Sequence, residues 1–416
     1  MSKPVRVMHF ADTHFGVELY GRIDAETGMN SRLLDFKRSL LEAVDMALAA
    51  GIQMAVFAGD AYKTRNPHQT DQREFADCIR RLTTQHIPVV MIAGNHDMPA
   101  QRGRANAVEI YRTLGVTNVH VMTKPGTIVI ETSGGPVRVC TLPYLIKGYS
   151  VQREEFQGKT LDETRLLFET KYAEQLHGLS LDVTEANDDI PTILLGHFWA
   201  HGAKLSTWQE GYLGHTGEPQ VSLSSLTDPA FDYVALGHIH KFQDLNKGSQ
   251  PPVVYSGSPD RIDFGERDET KGFVIVDLEK GNSRYQFIPL DSGRALLDIR
   301  VDADCDEPTE RIVSELKRQP LRNNIVKLTY SISHTRLPLV REREIRDALD
   351  AAFLTVSISR KVERDSALRS RLLTESIGPR EALELYIDSN EKLLPRRDNL
   401  LASAEPLFAE LAVEDA

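Results

Sequence analysis

The chain has 416 residues, of which 41% are hydrophobic and 26% charged, and a formal net charge of −11. Ordinary globular usage at this length argues for two or three domains around a sizeable core and excludes a disordered chain. No apolar run approaches the roughly 20 residues of a membrane helix, and the acidic balance argues against indiscriminate nucleic-acid binding while allowing a local basic track.

The amino terminus, MSKPVRVMHFADTH, runs into a predicted strand without the apolar core and cleavage site of a secretory signal, so the chain reads as cytoplasmic. From residue 1 to about 240, short branched-rich runs (VRVMHF, MAVFA, VVMIA, TILL, YVAL) alternate with longer stretches at helical spacing. NSRLLDFKRSLLEAVDMALAAG predicts a helix that Gly51 stops, and QTDQREFADCIRRLTTQH a second before Pro88. Strand, helix, strand in this order implies βαβ crossovers and largely parallel strands. Cys78, in the second helix, reads as core; with Cys140 and Cys305 it makes an odd, widely spaced set without CxxC spacing. Gly158, Lys159 and Thr160 imitate the end of a P-loop, but Arg153 stands where the first glycine belongs, so no ATP site is expected there.

Residues 240 to 290 predict antiparallel strands in PVVYSG, GFVIVDL and SRYQFIPL. A second unit starts near Ser292: LLDIRVDA, NNIVKLTYSIS and LTVSISRKV read as strands, PTERIVSELKRQ and LVREREIRDALDAAF as helices. From about Asp365 the pattern is wholly helical, with Pro395 and Pro406 expected to break it into short helices. The expected organisation is an α/β domain over 1–291, a small α/β domain over 292–364 and a helical region over 365–416.

Each apolar run of the first domain is followed at once by potential metal ligands. These are Asp12 and His14 in ADTH, Asp60 in AGDAY, Asn95, His96 and Asp97 in AGNHD, His197 in LGHFWAHG, and His238 and His240 in LGHIH. Ligands bind beyond the carboxyl ends of strands in open α/β sheets, so these loops are expected to converge on one pocket. Carboxylate, imidazole and amide oxygen without thiolate suit manganese, iron or zinc rather than a structural Cys-zinc site. A carboxylate shared between two ions holds them about 3.5 to 4 Å apart, the spacing that clamps both oxygens of a phosphoryl displacement. Gly59, Gly94, Gly196 and Gly237 precede the ligands and are expected to let the loops turn tightly there. Any one motif alone reads as a loop or a capped turn; their conjunction at successive strand ends reads as a site.

The series DTH, GD, GNHD, GH and GHIH, over residues 9 to 240, resembles the signature of the calcineurin-like metallophosphoesterases. YSGSPDRIDFGE at 255 to 266 resembles the segment that follows it in SbcD-type nucleases. The resemblance implies a layered α/β sandwich core, a small α/β capping domain and a helical partner-binding tail. It implies one metal held by Asp12, His14, Asp60 and His240 and a second by Asp60, Asn95, His197 and His238, with Asp60 as bridge and manganese as the ion. His96 resembles the residue that contacts the scissile phosphate and protonates the leaving oxygen, with Asp97 orienting its ring, and water activated by the ions is the expected nucleophile.

The implied activity is 3′-to-5′ exonuclease and endonuclease cleavage of DNA in repair and recombination. The implied partners are DNA, an SbcC-like SMC-type ATPase and a second copy of the chain. Two rivals stay open: another phosphatase or phosphodiesterase of the superfamily, and a non-catalytic DNA-tethering subunit. Relatives often carry an acidic residue or histidine three positions after the bridging aspartate, where this chain has Lys63. Lys63, Arg65, Arg102, Arg104 and Lys241 place positive charge where phosphate contacts are wanted, and a solvated loop face accounts for each equally well.

Overall fold

In the computed structural model, which describes residues 4–99, 103–145, 157–207, 209–211, 217–363, 379–388 and 393–414, the short apolar runs are strands and the amphipathic stretches helices. In chain order these are β1 (Val5–Phe10), α1 (Ser31–Ala49), β2 (Met54–Phe57), α2 (Gln69–Thr83), β3 (Val89–Ile92), α3 (Glu109–Thr113), β4 (Val119–Met122), β5 (Gly126–Thr132), β6 (Gly135–Leu142) and α4 (Leu161–Ala186). Then come β7 (Thr192–His197), β8 (Trp199–Ala200), β9 (Gln220–Val221), α5 (Leu223–Leu226), β10 (Tyr233–Gly237), β11 (Gln243–Asp244), β12 (Val253–Tyr255), β13 (Gly272–Leu278) and β14 (Arg284–Pro289).

Two mixed six-stranded sheets result, in the orders β14-β13-β1-β2-β3-β4 and β11-β12-β10-β7-β6-β5. Strand periodicity explains why each is buried on both faces. Met8 and Phe10 of β1, Ala55 and Phe57 of β2, and Val89 and Met91 of β3 pack with Phe36 and Leu40 of α1 and Phe75 of α2. The intervening Val7, Val56 and Val90 point the other way and meet Ile193, Leu195 and Ala235 of the second sheet. On the far side, Leu194, Val234 and Leu236 pack with Phe168, Tyr172 and Leu176 of α4. The outcome is the expected layered α/β sandwich.

The helix boundaries have local causes. Asn30 accepts from the Arg32 amide at 2.9 Å and starts α1. Thr160 and Glu163 cap α4 reciprocally, so the apparent P-loop ending is a helix start. The parallel strands β1 to β4, with β6, β7, β10 and β12, share one carboxyl-end direction within each sheet. The antiparallel expectation for 240 to 290 holds for β13 with β14 and for β11 with β12, while on its other edge β12 lies parallel to β10. An apolar run buried on both faces carries no signal that distinguishes the two directions.

The chain divides into two compact units, Met1–Leu297 and Asp298–Ala416. β15 (Leu296–Asp302) leads into the second, which continues with α6 (Pro308–Lys317), β16 (Ile325–Ser333), α7 (Glu342–Leu349) and β17 (Leu354–Glu363). The strands form one sheet in the order β15-β16-β17, and Ile312, Leu316, Leu328, Ile345 and Leu349 are buried in this unit. Two further helices follow, α8 (Pro379–Asp388) and α9 (Arg397–Glu414), tied by Arg380 to Glu405 at 2.6 Å and Arg397 to Asp388 at 2.7 Å. Pro406 does not break the last helix as expected but lies inside it. Ala402, whose carbonyl loses its amide partner to Pro406, is exposed, so water can take that carbonyl's place in the ladder. The start of the helical pattern expected from Asp365, with its apolar Leu368, Leu372 and Leu373, lies outside the described residues. No helix among the described residues is long and apolar enough to cross a membrane.

Candidate metal centre

The predicted residues meet because the loops that carry them are bonded to one another before any side chain is considered. The Asp12 amide donates to the Gly59 carbonyl at 2.9 Å, His14 to Asp60 at 3.1 Å and Phe15 to Ala61 at 2.9 Å, so the loops after β1 and β2 run as one ribbon. The second sheet joins through His9, whose ring lies 3.0 Å from the Tyr233 hydroxyl and 3.2 Å from the Leu236 carbonyl. It also joins through the His238 amide, which donates to both Asp12 oxygens at 3.0 Å.

Asp12, His14, Asp60 and His238 have φ of 53°, 42°, 59° and 95°. Left-handed backbone costs a non-glycine residue on the order of 1 kcal/mol or more and persists only where neighbours over-determine it. Here four candidate ligands adopt it together. Two glycines are required by close approach: a Cβ on Gly59 would stand 2.6 Å from His197 Nδ1, and one on Gly94 2.1 Å from Asp60 Oδ1. Of the four glycines expected to turn the loops, only Gly59 has positive φ; what the others share is crowding, which for Gly196 is the Phe198 ring.

Asp12, His14 and His240 bring one ligand atom each within 4.8 Å of one another, as do Asp12, Asp60 and His197, and also His14, Asp60 and His96. Asp60 Oδ2 stands 3.6 Å from both His14 Nε2 and His197 Nε2. Asn95 Oδ1 stands 3.0 Å from His197 Nε2 and 3.0 Å from His238 Nδ1.

The ring protons can be assigned from acceptors. His197 Nδ1 faces the Ala58 carbonyl at 2.6 Å, and a carbonyl can only accept, so its Nε2 carries a lone pair. His240 Nδ1 faces the Glu266 carboxylate at 2.7 Å, which leaves its Nε2 lone pair 3.1 Å from His14 Nε2. His14 Nδ1 is buried without a partner. Lone pairs of imidazole, amide and carboxylate thus converge, an arrangement that repels itself without a cation and fits divalent ions.

Electrostatics agrees at Asp12, Asp60, His14 and His197, while His238 departs. Burial, and then the neighbouring Asp60, pushes the Asp12 carboxyl well above the usual range; burial pushes Asp60 up to about 6. Burial, then the Asp60 charge, pushes Asp97 up to about 7. Burial holds His14 and His197 far below the ordinary imidazole value, hence neutral and ready to ligate. His238 is raised: burial acts to lower it, and the adjacent Glu218, Asp60 and Asp12 outweigh that.

The expectation that Asp97 orients the His96 ring is corrected. Asp97 Oδ2 accepts the amides of Asp60 at 2.8 Å, Gly94 at 3.0 Å and Ala61 at 3.2 Å, and Oδ1 that of Tyr62 at 3.2 Å. It is a backbone anchor for two ligand loops. The ring of His96 is held instead by the Lys63 carbonyl, 2.8 Å from Nδ1, and its amide donates to Asp60 Oδ1 at 2.8 Å. Burial and the Lys63 ammonium lower His96 to about 4.

Among the basic residues, Lys63 is half-buried beside the site, while Arg65, Arg104 and Lys241 are exposed; Arg102 lies outside the described residues. The groups behind the histidines are not legible in the sequence. Glu218 Oε1 stands 3.0 Å from His238 Nε2, Gln209 binds the His238 carbonyl at 2.8 Å, and Glu266 holds His240. Only Glu266 had a signal, as the last residue of YSGSPDRIDFGE.

Residues 5–242 match the family model of the calcineurin-like phosphoesterases. The SbcD subunit of the nuclease SbcCD from Bacillus subtilis is 29% identical over 297 residues, covering 70% of this chain and 71% of that protein. The DNA double-strand break repair protein Mre11 of Thermoplasma acidophilum is 26% identical over 326 residues, covering 76% and 73%. The SbcD subunit of the nuclease SbcCD from Staphylococcus epidermidis is 28% identical over 348 residues, covering 82% and 83%.

Proposed function

This chain belongs to the calcineurin-like phosphoesterase family, and from that premise we propose that it is a divalent-metal-dependent nuclease that cleaves DNA both from 3′ ends and internally. The observation that carries the reading is the convergence of two ligand sets on Asp60. Asp12, His14, Asp60 and His240 would hold one ion, and Asp60, Asn95, His197 and His238 the other. Oxygen and nitrogen donors without thiolate suit manganese, iron or zinc, and the resemblance to SbcD-type nucleases makes manganese the ion proposed. When bound, the ions supply Lewis acidity toward a phosphodiester and a nucleophile at neutral pH.

The chain's own residues supply the rest. Lys63 holds His96 Nδ1 through its carbonyl, which leaves Nε2 for the leaving oxygen. His96 is neutral in the free protein; the negative charge of a bound phosphodiester favours its protonated form, as a general acid requires. Asp97 keeps the loops of Asp60 and Asn95 in place. Lys63, Arg65, Arg102, Arg104 and Lys241 contact the DNA backbone.

DNA as substrate rests on the relatives, whose names are those of a nuclease subunit and a break-repair protein. The same likeness supports a homodimer that works in the cytoplasm with an SbcC-like SMC-type ATPase in repair and recombination. In that assembly 1–291 is the nuclease domain, 292–364 the capping domain and 365–416 the docking region.

The test is a cleavage assay on labelled duplex and single-stranded DNA with manganese, magnesium or chelator, with bis(nitrophenyl) phosphate as control. Manganese-dependent shortening of DNA is expected. Hydrolysis of the small ester without cleavage of DNA overturns the reading in favour of another phosphodiesterase, and DNA binding without hydrolysis in favour of a tether.

A further inference from the structure

Gln209 is buried, 3% exposed, in a short helical turn where its amide donates to the Ser206 hydroxyl at 3.4 Å. Its side-chain Nε2 donates to the His238 carbonyl at 2.8 Å, and its Oε1 accepts the His240 amide at 3.3 Å. A carbonyl only accepts and an amide only donates, so the orientation of this primary amide is fixed. One side chain therefore spans the backbone of both histidines of LGHIH. Gln243 answers from the other side: its Oε1 accepts the Lys204 amide at 2.8 Å and its Nε2 donates to the Lys204 carbonyl at 3.0 Å. Two glutamine amides thus fasten the segment 204–209 along the segment 238–243.

His238 needs such a hold. Its φ of 95° is left-handed, a conformation that a non-glycine residue keeps only where neighbours over-determine it. Its amide is tied to Asp12 at 3.0 Å and its carbonyl to Gln209. Further along, the His240 carbonyl accepts the Ser258 amide at 3.1 Å. Asp12 and Ser258 each touch the backbone of one histidine; Gln209 touches both, through the two groups that flank the fully buried Ile239.

We propose that Gln209 is a positioning residue that sets the spacing of His238 from His240 and thereby couples the two metal positions. The inference rests on the reading that places His240 on one ion and His238 on the other. Gln209 does not titrate, so it acts on where the ligands stand and not on their charge. Without it the His238 carbonyl and the His240 amide lose a buried partner, and the strained turn at His238 relaxes toward ordinary backbone, which changes the separation of the two rings. Partners one step behind a metal ligand change metal affinity by about 10- to 100-fold.

The experiment uses the full chain stripped of metal and titrated with Mn²⁺ by calorimetry, then examined fully loaded by electron paramagnetic resonance. Two manganese ions that share the Asp60 carboxylate are exchange-coupled, and the coupling follows their separation. In the wild type, two Mn²⁺ and a coupled spectrum are expected. Gln209→Met keeps the length of the side chain and removes both hydrogen bonds; it is expected to weaken Mn²⁺ binding about 10-fold and, at saturating Mn²⁺, to lower or abolish the coupling. Gln209→Asn keeps the amide but, one methylene shorter, cannot span both groups, and is expected to fall between. A general loss of packing lowers the melting temperature without changing the spectrum of the folded, fully loaded protein.

Wild-type coupling in folded Gln209→Met overturns the proposal, whether or not Mn²⁺ binds more weakly. If that variant does not fold, wild-type coupling in Gln209→Asn overturns it. His238→Ala and His240→Ala separate the premise: if either still binds two ions with wild-type affinity, the ligand assignment fails; if each loses one while Gln209→Met keeps both ions and their coupling, only the role of Gln209 fails.

Discussion

Asp97 holds Asp60 by the backbone and not by the side chain: its Oδ2 accepts the Asp60 amide at 2.8 Å while the Asp60 carboxylate faces His14 and His197. The same Asp97 carboxylate takes three other amides from the loops after β2 and β3. Asp97→Ala leaves buried donors without partners, each costing about 1 to 3 kcal/mol. Chemical denaturation is expected to show a loss of at least about 2 kcal/mol, together with lower metal content. Wild-type stability would show that the anchoring carries no energy.

Asp60 is the residue both ligand sets share, so Asp60→Asn is expected to lower metal content measured by elemental analysis and to abolish DNA cleavage. His120→Ala, in β4, changes neither. Full activity in Asp60→Asn removes the two-metal assignment.

His96 lies within ligand distance of His14 and Asp60, so its role needs a test that separates acid from ligand. As an acid, His96→Ser keeps both ions and DNA binding while the cleavage rate falls by about 10² to 10⁴. A variant recovered short of one ion makes His96 a ligand instead.

His9 is fully buried, and burial lowers it to about 3 against its Leu236 contact. The unfolded chain takes up this proton near pH 6.5 while the folded one does not, so the contribution is present above pH 6.5 and is lost as pH falls toward 3. In metal-free buffer between pH 6 and 4, wild-type stability should fall about 1.4 kcal/mol per unit more steeply than that of His9→Gln. Equal slopes show that His9 titrates normally in the fold.

The carboxyl-terminal helices expose Tyr386 and Leu407, and Leu394 is exposed in the turn between them. Truncation before Asp365 is expected to leave manganese-dependent cleavage of single strands intact and to abolish co-purification with the ATPase and stimulation by ATP. Unchanged affinity of the truncated protein for the ATPase moves the docking contact elsewhere.

Asp12, His14, Asp60, Asn95, His197, His238 and His240 were legible because each stands at the carboxyl end of an apolar run, and parallel strands deliver such ends to one edge whatever the rest of the chain does. The layered core was legible for a similar local reason, since a period of two and a period of 3.6 each fix which side of an element is apolar. Proximity in space was not. His96 and Asp97 are neighbours in sequence, yet the turn sends one toward the ligands and the other beneath them, onto the amides of the preceding loop. Glu218 stands among ordinary loop residues and Glu266 closes a motif that does not say which side chain it meets; only the packing of both sheets brings them behind His238 and His240. Ligand type is a property of a residue and its strand end; which proton that ligand carries is set by partners from distant segments, and no spacing along the chain encodes it.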